Sequence, residues 1–526
     1  MTKKHYLVVV IFNFLLALAF YIQGLSANVT DISGDLANII PVCKKIDNPA
    51  LFISDIYLDP IENVKYYTPF YVQTLRFFAR FTNYDYVQAL NILGFLTHFL
   101  YGLLWFLLFY TIKKDFWLAF IFSIFFRGIT WPPGMELLGI SDIWTIMPRT
   151  IFLTVIPIPY LIFRNSSDKF QYLAALILGL LVNLHPISGV GCILVYVTLY
   201  FSHLYFDKNN FGKVKYVKML SCFSLIIIGM SPYLWSYFVN VKTAAVVNQE
   251  LFEVAFRARL DPVFFDSLLF LKSWFKPVTC FFVAGFVGFY FIDSSAKKQY
   301  SKIILSSMLV LLVFCNAIIP IENLINITFK TSFRFSFQII RSQKFVLVLL
   351  QIATFLFFYE LVNKYKITDN IKIGVCVIYL LVISLSTAPI INKLALFGED
   401  ITTFIFPNCL KFYKVKPVDK LATQQVHDFV NKNTQINDVF YAQDMYFRSA
   451  TNRAEVLDFH AAGMLIEGNQ KAYTDIYLTL IKFQKANESE KISILHSKNV
   501  DYIIVREKWK TLKLVYNNSE YNIYKL

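Results

Sequence analysis

Charged residues are scarce in this sequence. Asp, Glu, Lys and Arg make up 16% of the 526 residues, whereas a soluble domain contains roughly a quarter. Hydrophobic residues make up 56% and aromatic residues 18%, and a fold surrounded by water cannot hide so many. This composition excludes a single soluble globular domain and predicts that most of the chain lies in lipid.

Paired cysteines and known motifs are also missing. The seven cysteines are scattered, mostly within apolar runs, with no CxxC pair and no spacing typical of a metal site. We interpret them as small buried hydrophobic residues. The sequence has no Walker, Rossmann or nucleophile-elbow motif, no internal repeat and no low-complexity segment.

Apolar runs long enough to cross a bilayer are abundant. We predict a polytopic α-helical membrane protein with about 11 transmembrane helices and a small C-terminal α/β soluble domain. The first span follows the basic start MTKKHY and resembles a signal peptide, but the many later spans favour a retained anchor. The other spans are predicted near 88–112, 115–130, 149–163, 170–185, 187–206, 217–238, 277–292, 301–319, 343–362 and 371–391.

The formal charge of +15 would suggest a nucleic-acid partner in a soluble protein, but its placement indicates topology instead. If the N-terminus is cytoplasmic, basic residues fall in every inner gap, as the positive-inside rule requires, and we expect no nucleic acid as partner. These basic residues include Lys113, Lys114, Arg164, Lys169, Lys208, Lys213, Lys297, Lys298, Lys364 and Lys366. The Lys, Asn, Ile and Phe content favours a bacterial inner membrane.

Two outer segments are long. A transmembrane domain of residues 1–414 contains the acidic first outer loop, 27–87, where TPFYVQTLRFFARFTNYDY has the spacing of an amphipathic helix. This helix either lies on the membrane surface or forms an ordinary helical entry into the next span. Residues 415–526 are predicted to form an extracytoplasmic α/β domain with the helix VDKLATQQVHDFVNKN, the strands DVFYAQ and DYIIVRE, and a hairpin with an NNSE turn.

Acidic residues in the outer loops are candidates for chemistry. Asp31 and Asp35 follow the first span, where a carboxylate can act as a general base; the alternative is that they cap a helix starting near Gly34. Asp59 lies four positions after Asp55, so the two share a face and can hold a divalent cation if the segment is helical. Pro60 argues against a regular helix there.

Basic residues in the outer loops are candidates for binding phosphate. Arg149 and His185 join Glu136 and Asp142 in one group; snorkelling of Arg149 and helix capping by His185 are the alternatives. A second group precedes a span on the predicted outer side, against the positive-inside trend, so it suggests binding of a lipid phosphate. It comprises Arg334, Arg341 and Lys344.

The stretches DLANIIPVCKKIDNPALFISD, SDIWTIMPR and NLHPISG resemble those of poorly characterised bacterial members of the GT-C superfamily. GT-C proteins are integral membrane glycosyltransferases that use polyprenyl-phosphate sugars, and the layout of spans, first loop and C-terminal domain is similar. The resemblance implies transfer of a sugar from a lipid-linked donor to an acceptor hydroxyl or amide at the outer face.

The resemblance also implies roles for particular residues. Asp35, with Asp31 as the alternative, corresponds to the catalytic base that the family has in its first outer loop. The residues that would bind the donor phosphate are Arg149, His185, Arg334 and Arg341. No DxD or ExD pair accompanies them, so a divalent cation is only an optional cofactor. The other interpretations are a transporter or flippase, a polymerase or ligase of lipid-linked glycans, and a non-catalytic scaffold.

Overall fold

The computed structural model describes residues 3–64, 69–163, 168–206, 213–240, 248–329, 331, 333–392, 401–414 and 420–526. Arg164 and Lys208 of the predicted inner gaps lie outside the described residues. The same holds for residues 415–419, where the sequence predicts the start of the C-terminal domain.

The described chain is mostly helical, with a small sheet near its C-terminus. The helices are α1 Lys3–Gly24, α2 Gly34–Asp47, α3 Pro69–Ala79, α4 Tyr86–Ile112, α5 Phe116–Phe125, α6 Pro148–Val155, α7 Pro157–Phe163, α8 Asp168–Val182, α9 Pro186–Phe206, α10 Lys213–Asn240, α11 Gln249–Arg259, α12 Ser267–Lys272, α13 Pro277–Ile292, α14 Gln299–Phe329, α15 Ser336–Ile339, α16 Lys344–Lys364, α17 Asp369–Ser384, α18 Pro389–Asn392, α19 Leu421–Asn433, α20 Phe447–Thr451, α21 Phe459–Ala462, α22 Leu465–Gly468, α23 Gln470–Lys485 and α24 Glu488–His496. The strands are β1 Val439–Ala442, β2 Ala454–Glu455, β3 Tyr502–Val505, β4 Lys513–Asn517 and β5 Asn522–Lys525.

The chain divides into two compact units. Unit 1 comprises residues 1–25, 91–232 and 262–415, and unit 2 comprises residues 26–90, 233–261 and 416–526. Unit 2 therefore combines the C-terminal segment with the first predicted outer loop and with part of a later one.

Apolar helices dominate unit 1. Within the described residues, five helices are long and apolar enough to cross a membrane, and further apolar helices have 10–17 residues. These helices are consistent with a membrane protein; the count of about 11 spans stays a prediction. Some predicted spans are interrupted or short: Pro157 separates α6 from α7, and α5 ends at Phe125 instead of near 130. The long helices are Lys3–Gly24, Tyr86–Ile112, Tyr216–Val239, Gln299–Phe329 and Ser336–Lys364.

Glycines let two helices of unit 1 approach closely. A Cβ added to Gly179 in α8 would lie 2.2 Å from the carbonyl oxygen of Ile226 in α10, and one added to Gly229 would lie 2.6 Å from that of Leu176. The Asn183 side chain also donates to the Gly229 carbonyl oxygen at 2.8 Å. Small residues and interhelical hydrogen bonds are the usual means of packing helices in lipid, where no hydrophobic force drives association.

The sheet of unit 2 has the strand order β2-β1-β3-β5-β4. β1 pairs in parallel with β2 and β3, whereas β5 pairs antiparallel with β3 and β4. Alternate residues of each strand point to opposite faces: Phe440 and Ile504 pack with α19, and Val439 and Ile503 pack with Phe483 of α23. The predicted helix, two buried strands and hairpin all occur where the sequence indicated them.

Residues of the first loop pack within unit 2. Ser449 of α20 donates to the carbonyl oxygen of Ala37 in α2 at 2.7 Å. Lys44 of α2 donates to the Asn452 side chain, also at 2.7 Å. A loop that the sequence assigns to the transmembrane domain is thus joined to the C-terminal segment by specific hydrogen bonds.

Candidate functional site

A folded-back loop between α5 and α6 places Glu136. Thr130 and Leu138 form a short antiparallel bridge, with N–H···O distances of 2.9 and 3.0 Å. Gly139 has a φ of +110°, and a Cβ there would lie 2.3 Å from the Gly128 carbonyl oxygen, so only glycine fits without strain. The loop turns the Glu136 side chain inward, where it is 1% exposed.

Two cations lie against the buried Glu136 carboxylate. Lys344 Nζ donates to Glu136 Oε2 at 2.7 Å, and Arg341 Nε lies 3.4 Å from Oε1. Burial by itself would raise the pKa of Glu136, but the positive charges of Lys344 and Arg341 outweigh it and hold that pKa well below its usual range. Glu136 is therefore a carboxylate at neutral pH.

Arg149 and His185 complete the group, since the Arg149 charge acts on Glu136, as would the charge of a protonated His185. His185 precedes α9, and its Nδ1 accepts from the backbone N–H of Ser188 at 3.2 Å. A backbone N–H can only donate, so the ring proton of neutral His185 lies on Nε2. Burial and the nearby charge of Lys344 lower the pKa of His185 well below its ordinary value, which keeps the ring neutral with an Nε2–H donor.

We call these five residues, Glu136, Arg149, His185, Arg341 and Lys344, the Glu136 cluster. With Arg149, Arg341 and Lys344 protonated, Glu136 ionised and His185 neutral, it carries three positive charges and one negative charge, a net charge of +2. Arg149 lies in the first turn of α6, His185 directly precedes α9, and Lys344 begins α16. The positive N-termini of α6 and α9 and the excess cations both favour an anion.

Tertiary contacts bring these termini together. The Ser342 hydroxyl donates to the carbonyl oxygen of Ile187 at 2.8 Å, joining the turn before α16 to the start of α9. Gly191 permits this approach, since a Cβ there would lie 2.5 Å from the Phe345 ring. The Arg341 guanidinium lies over the Phe264 ring, 5.2 Å from its centroid, which fixes the plane of its donors.

The other basic and acidic candidates of unit 1 have different surroundings. Arg334 Nη1 donates to the carbonyl oxygen of Phe333 at 2.6 Å, seven residues before Arg341. Asp142 acts on Lys411, whose pKa is lowered by burial and partly restored by that carboxylate. The structure therefore brings Arg149, His185 and Arg341 together with Glu136 and Lys344.

Asp31 and Asp35 lie in unit 2, in different surroundings. Asp31 accepts from the backbone N–H of Asn28 at 2.8 Å and lies 3.4 Å from Lys420 Nζ, so it supports the local turn. Asp35 lies in the first turn of α2, which Ser33 caps, and is exposed. Its charge acts on the guanidinium of Arg259.

Asp55 belongs to a buried ion network in unit 2. Arg448 Nε donates to Asp55 at 2.6 Å and Arg448 Nη1 donates to Asp458 at 2.5 Å, while Glu455 lies 3.2 Å from Nη1. Asp55 also accepts from the backbone N–H groups of Tyr57 and Glu455 at 3.0 Å. These contacts make Asp55 a structural anchor. No local sequence pattern indicates these partners, because Asp55 and Arg448 are 393 residues apart.

We searched these groups for a possible metal site. Among the residues that the structure describes, no three His, Cys, Asp or Glu side chains are arranged to hold a metal ion. Segment 49–60, with Asp55 and Asp59, consists of turns rather than a helix, as the position of Pro60 indicates.

Comparison with known protein families finds no family that matches this chain, and comparison with curated proteins also finds no match.

Proposed function

We propose that this protein is a membrane glycosyltransferase of the GT-C type, which transfers a sugar from a polyprenyl-phosphate carrier to an acceptor at the outer face of the membrane. The observation that carries the proposal is the Glu136 cluster. Lys344 and Arg341 contact its one carboxylate, and the charge of Arg149 also acts on it. Arg149 and His185 lie at the starts of apolar helices. A lipid-borne phosphate supplies the missing negative charge.

The cluster has the groups that departure of a phosphate requires. When the bond between sugar and phosphate breaks, negative charge increases on the phosphate, and fixed cations stabilise it. Arg341 and Arg149 offer charged donors in a planar fork, and neutral His185 offers an Nε2–H without adding a charge. These groups serve in place of a divalent cation, which the proposal does not require.

The base of the proposed reaction is Asp35. It removes the proton of the acceptor as the new bond to the sugar forms. The contacts of Asp31 with Asn28 and Lys420 support a capping role for that residue, which favours Asp35. With the N-terminus in the cytoplasm of a bacterial cell and the predicted count of about 11 spans, the proposed topology has unit 2 outside the inner membrane. A C-terminal tag that is protected on the cytoplasmic side would contradict this topology.

Binding of the donor is tested with the purified chain in nanodiscs, titrated with polyprenyl phosphate and with the matching polyprenol. We expect Arg341→Gln and Lys344→Met to weaken binding of the phosphate by about 10- to 150-fold, the value of one charge-assisted hydrogen bond of roughly 1.5–3 kcal/mol. Polyprenol binding stays unchanged. Lys298→Met, in the predicted inner gap, is the matched control, and equal losses in Lys298→Met and Lys344→Met would refute the site.

Sugar transfer is tested separately with Asp35→Asn and Asp31→Asn in the same nanodiscs. We expect Asp35→Asn to bind the donor normally and to lose transfer, with Asp31→Asn retaining it. Normal transfer by both variants would exclude a base in this loop. A flippase or scaffold would bind the lipid and show no transfer in the wild type.

A further inference from the structure

Three aromatic rings of unit 1 pack against one another next to the Glu136 cluster. The rings of Trp131 and Trp144 lie nearly parallel, with an angle of 18° between their planes and 6.3 Å between their centroids. The Phe404 ring meets Trp144 edge to face, with 6.1 Å between centroids. We call these three residues the tryptophan stack. None of them belongs to the Glu136 cluster.

The tryptophan stack is held in place by two lysines. Lys276 Nζ donates to the backbone carbonyl oxygen of Trp131 at 3.2 Å. Lys411 Nζ lies over the Phe404 ring, 5.9 Å from its centroid, a distance at which a cation is attracted to the face of a ring. Trp144 lies between Phe404 and Trp131, so the Trp131 ring is supported from one side by a second indole.

Only Trp131 of the stack is largely accessible. Its side chain is 36% exposed, whereas Trp144 and Phe404 are half-buried. The stack therefore presents one indole in an orientation that is fixed before any ligand arrives. A ring that is ordered in advance binds with a smaller loss of side-chain entropy than a mobile one.

The position of Trp131 relates it to the proposed phosphate site. Trp131 directly follows Thr130, which pairs with Leu138 across the hairpin that carries Glu136. Arg341 Nε donates to the carbonyl oxygen of Gly134 in the same hairpin at 3.4 Å. The Arg341 side chain is 24% exposed, against 2% for Lys344, so a phosphate reaches the cluster at Arg341. A group bonded to that phosphate then lies along the hairpin.

The residue types beside Trp131 suit a sugar as that group. The face of an indole ring carries partial negative charge, and the C–H bonds on one face of a pyranose ring carry partial positive charge. The hydroxyl groups around the edge of the sugar remain free to bond with water and with polar groups, among which Lys276 is exposed. A hydrocarbon chain would gain nothing from such a polar neighbour.

We propose that the exposed face of Trp131 binds the sugar ring of the lipid-linked substrate while its phosphate lies on the Glu136 cluster. The inference rests on the proposed function, and it identifies the substrate class as a pyranose with a continuous C–H face. Trp131 is thus a residue that determines specificity for the sugar, and Trp144 is the residue that positions it.

The test measures what the sugar adds to binding. The purified full chain in nanodiscs is titrated with polyprenyl phosphate and with polyprenyl phosphates that carry glucose, galactose or mannose. The quantity of interest is the ratio of the dissociation constant without sugar to that with sugar. Trp131→Leu removes the aromatic face, Trp131→Phe retains one, and Trp235→Leu is the matched control at a tryptophan that is 74% exposed.

We expect at least one of the three sugars to tighten binding to the wild type by about 2- to 13-fold, the range for one aromatic contact. The ratio falls to about 1 in Trp131→Leu and is retained in Trp131→Phe and Trp235→Leu. An unchanged ratio in Trp131→Leu, or equal weakening of both ligands, would overturn this inference alone. Failure of polyprenyl phosphate itself to bind the wild type would overturn the proposed function as well.

Discussion

Removing Arg448 is the most direct way to test how unit 2 is held together. This side chain is buried and donates to Asp55 and Asp458. It also lies over the Tyr57 ring, 4.5 Å from its centroid. In Arg448→Met, an apolar side chain of similar length fills the space, but Asp55 and Asp458 lose the cation that they share. Buried carboxylates without a cation are strongly unfavourable.

We expect Arg448→Met to lower the free energy of unfolding by about 3–5 kcal/mol, the cost of removing one partner from a buried ion pair. At roughly 2–4 °C per kcal/mol for a unit of this size, the melting temperature decreases by about 6–20 °C. If one of the buried carboxyls takes up a proton, the loss in free energy of unfolding lies towards the lower end of the range of about 3–5 kcal/mol. The pKa of Asp458 is lowered through Arg448 despite burial. The stability from Asp458 is therefore present above its unfolded pKa of about 3.9 and is lost as the pH falls.

The assay is thermal unfolding of the full chain in nanodiscs, combined with hydrogen exchange of the peptides that contain Asp55 and Asp458. We expect faster exchange in both peptides of Arg448→Met. Arg506→Met is the matched control, because Arg506 is exposed and hydrogen-bonds only to the Tyr521 hydroxyl at 3.3 Å among its described side-chain contacts; its effect should stay within about 0.5 kcal/mol. A melting temperature of Arg448→Met equal to that of Arg506→Met would refute the reasoning.

Other substitutions give further tests by thermal unfolding. Burial raises the pKa of Glu455 well above its usual range. The protonated carboxyl therefore contributes its full stability below about pH 4.3, and this stability is lost as the pH rises. We expect the melting temperature of Glu455→Gln at pH 8 to match or exceed that of the wild type, and a lower one would contradict this. Glu136→Gln leaves Lys344 buried without its carboxylate, which should lower the free energy of unfolding by about 3–5 kcal/mol. We expect polyprenyl phosphate to stabilise this variant more than the wild type. Equal stabilisation of both would argue against an anion site. Gly139→Ala puts a Cβ 2.3 Å from a carbonyl oxygen, and we expect a loss of at least about 1 kcal/mol, detectable against an alanine substitution at a glycine with open space around it. Arg127→Lys removes donors from the buried Asn13 and His98 acceptors and should cost about 1–3 kcal/mol; an unchanged melting temperature would show that these bonds contribute nothing.

Sequence patterns predicted the local elements well where the pattern is short-range. The alternation in DVFYAQ and DYIIVRE predicts strands because successive side chains face opposite sides, and β1 and β3 occur there. The helical spacing after Pro69 likewise predicts α3. Sequence patterns predicted the lengths of apolar helices less accurately, since packing and prolines such as Pro157 end helices that composition alone would continue.

The candidate site depended on contacts that no local pattern contains. The sequence indicated Arg149, His185 and Arg341 as outer-loop candidates, and Glu136 and Lys344 as members of two separate groups. These five residues come together through tertiary hydrogen bonds, such as the one from Ser342 to Ile187, which is 155 residues away in the sequence. Residue type shows what a side chain can bind, but the distance between two loops follows from how the helices pack.

By itself, the sequence determined that the chain is largely apolar helix with a C-terminal sheet, because hydrophobic length and periodicity are local properties. Only the tertiary structure decided that the first loop belongs to the same compact unit as the C-terminal segment, and that Asp55 is an anchor for Arg448 rather than a metal ligand. The physical reason is that a buried charge takes its role from its partners, and here those partners come from the opposite end of the chain.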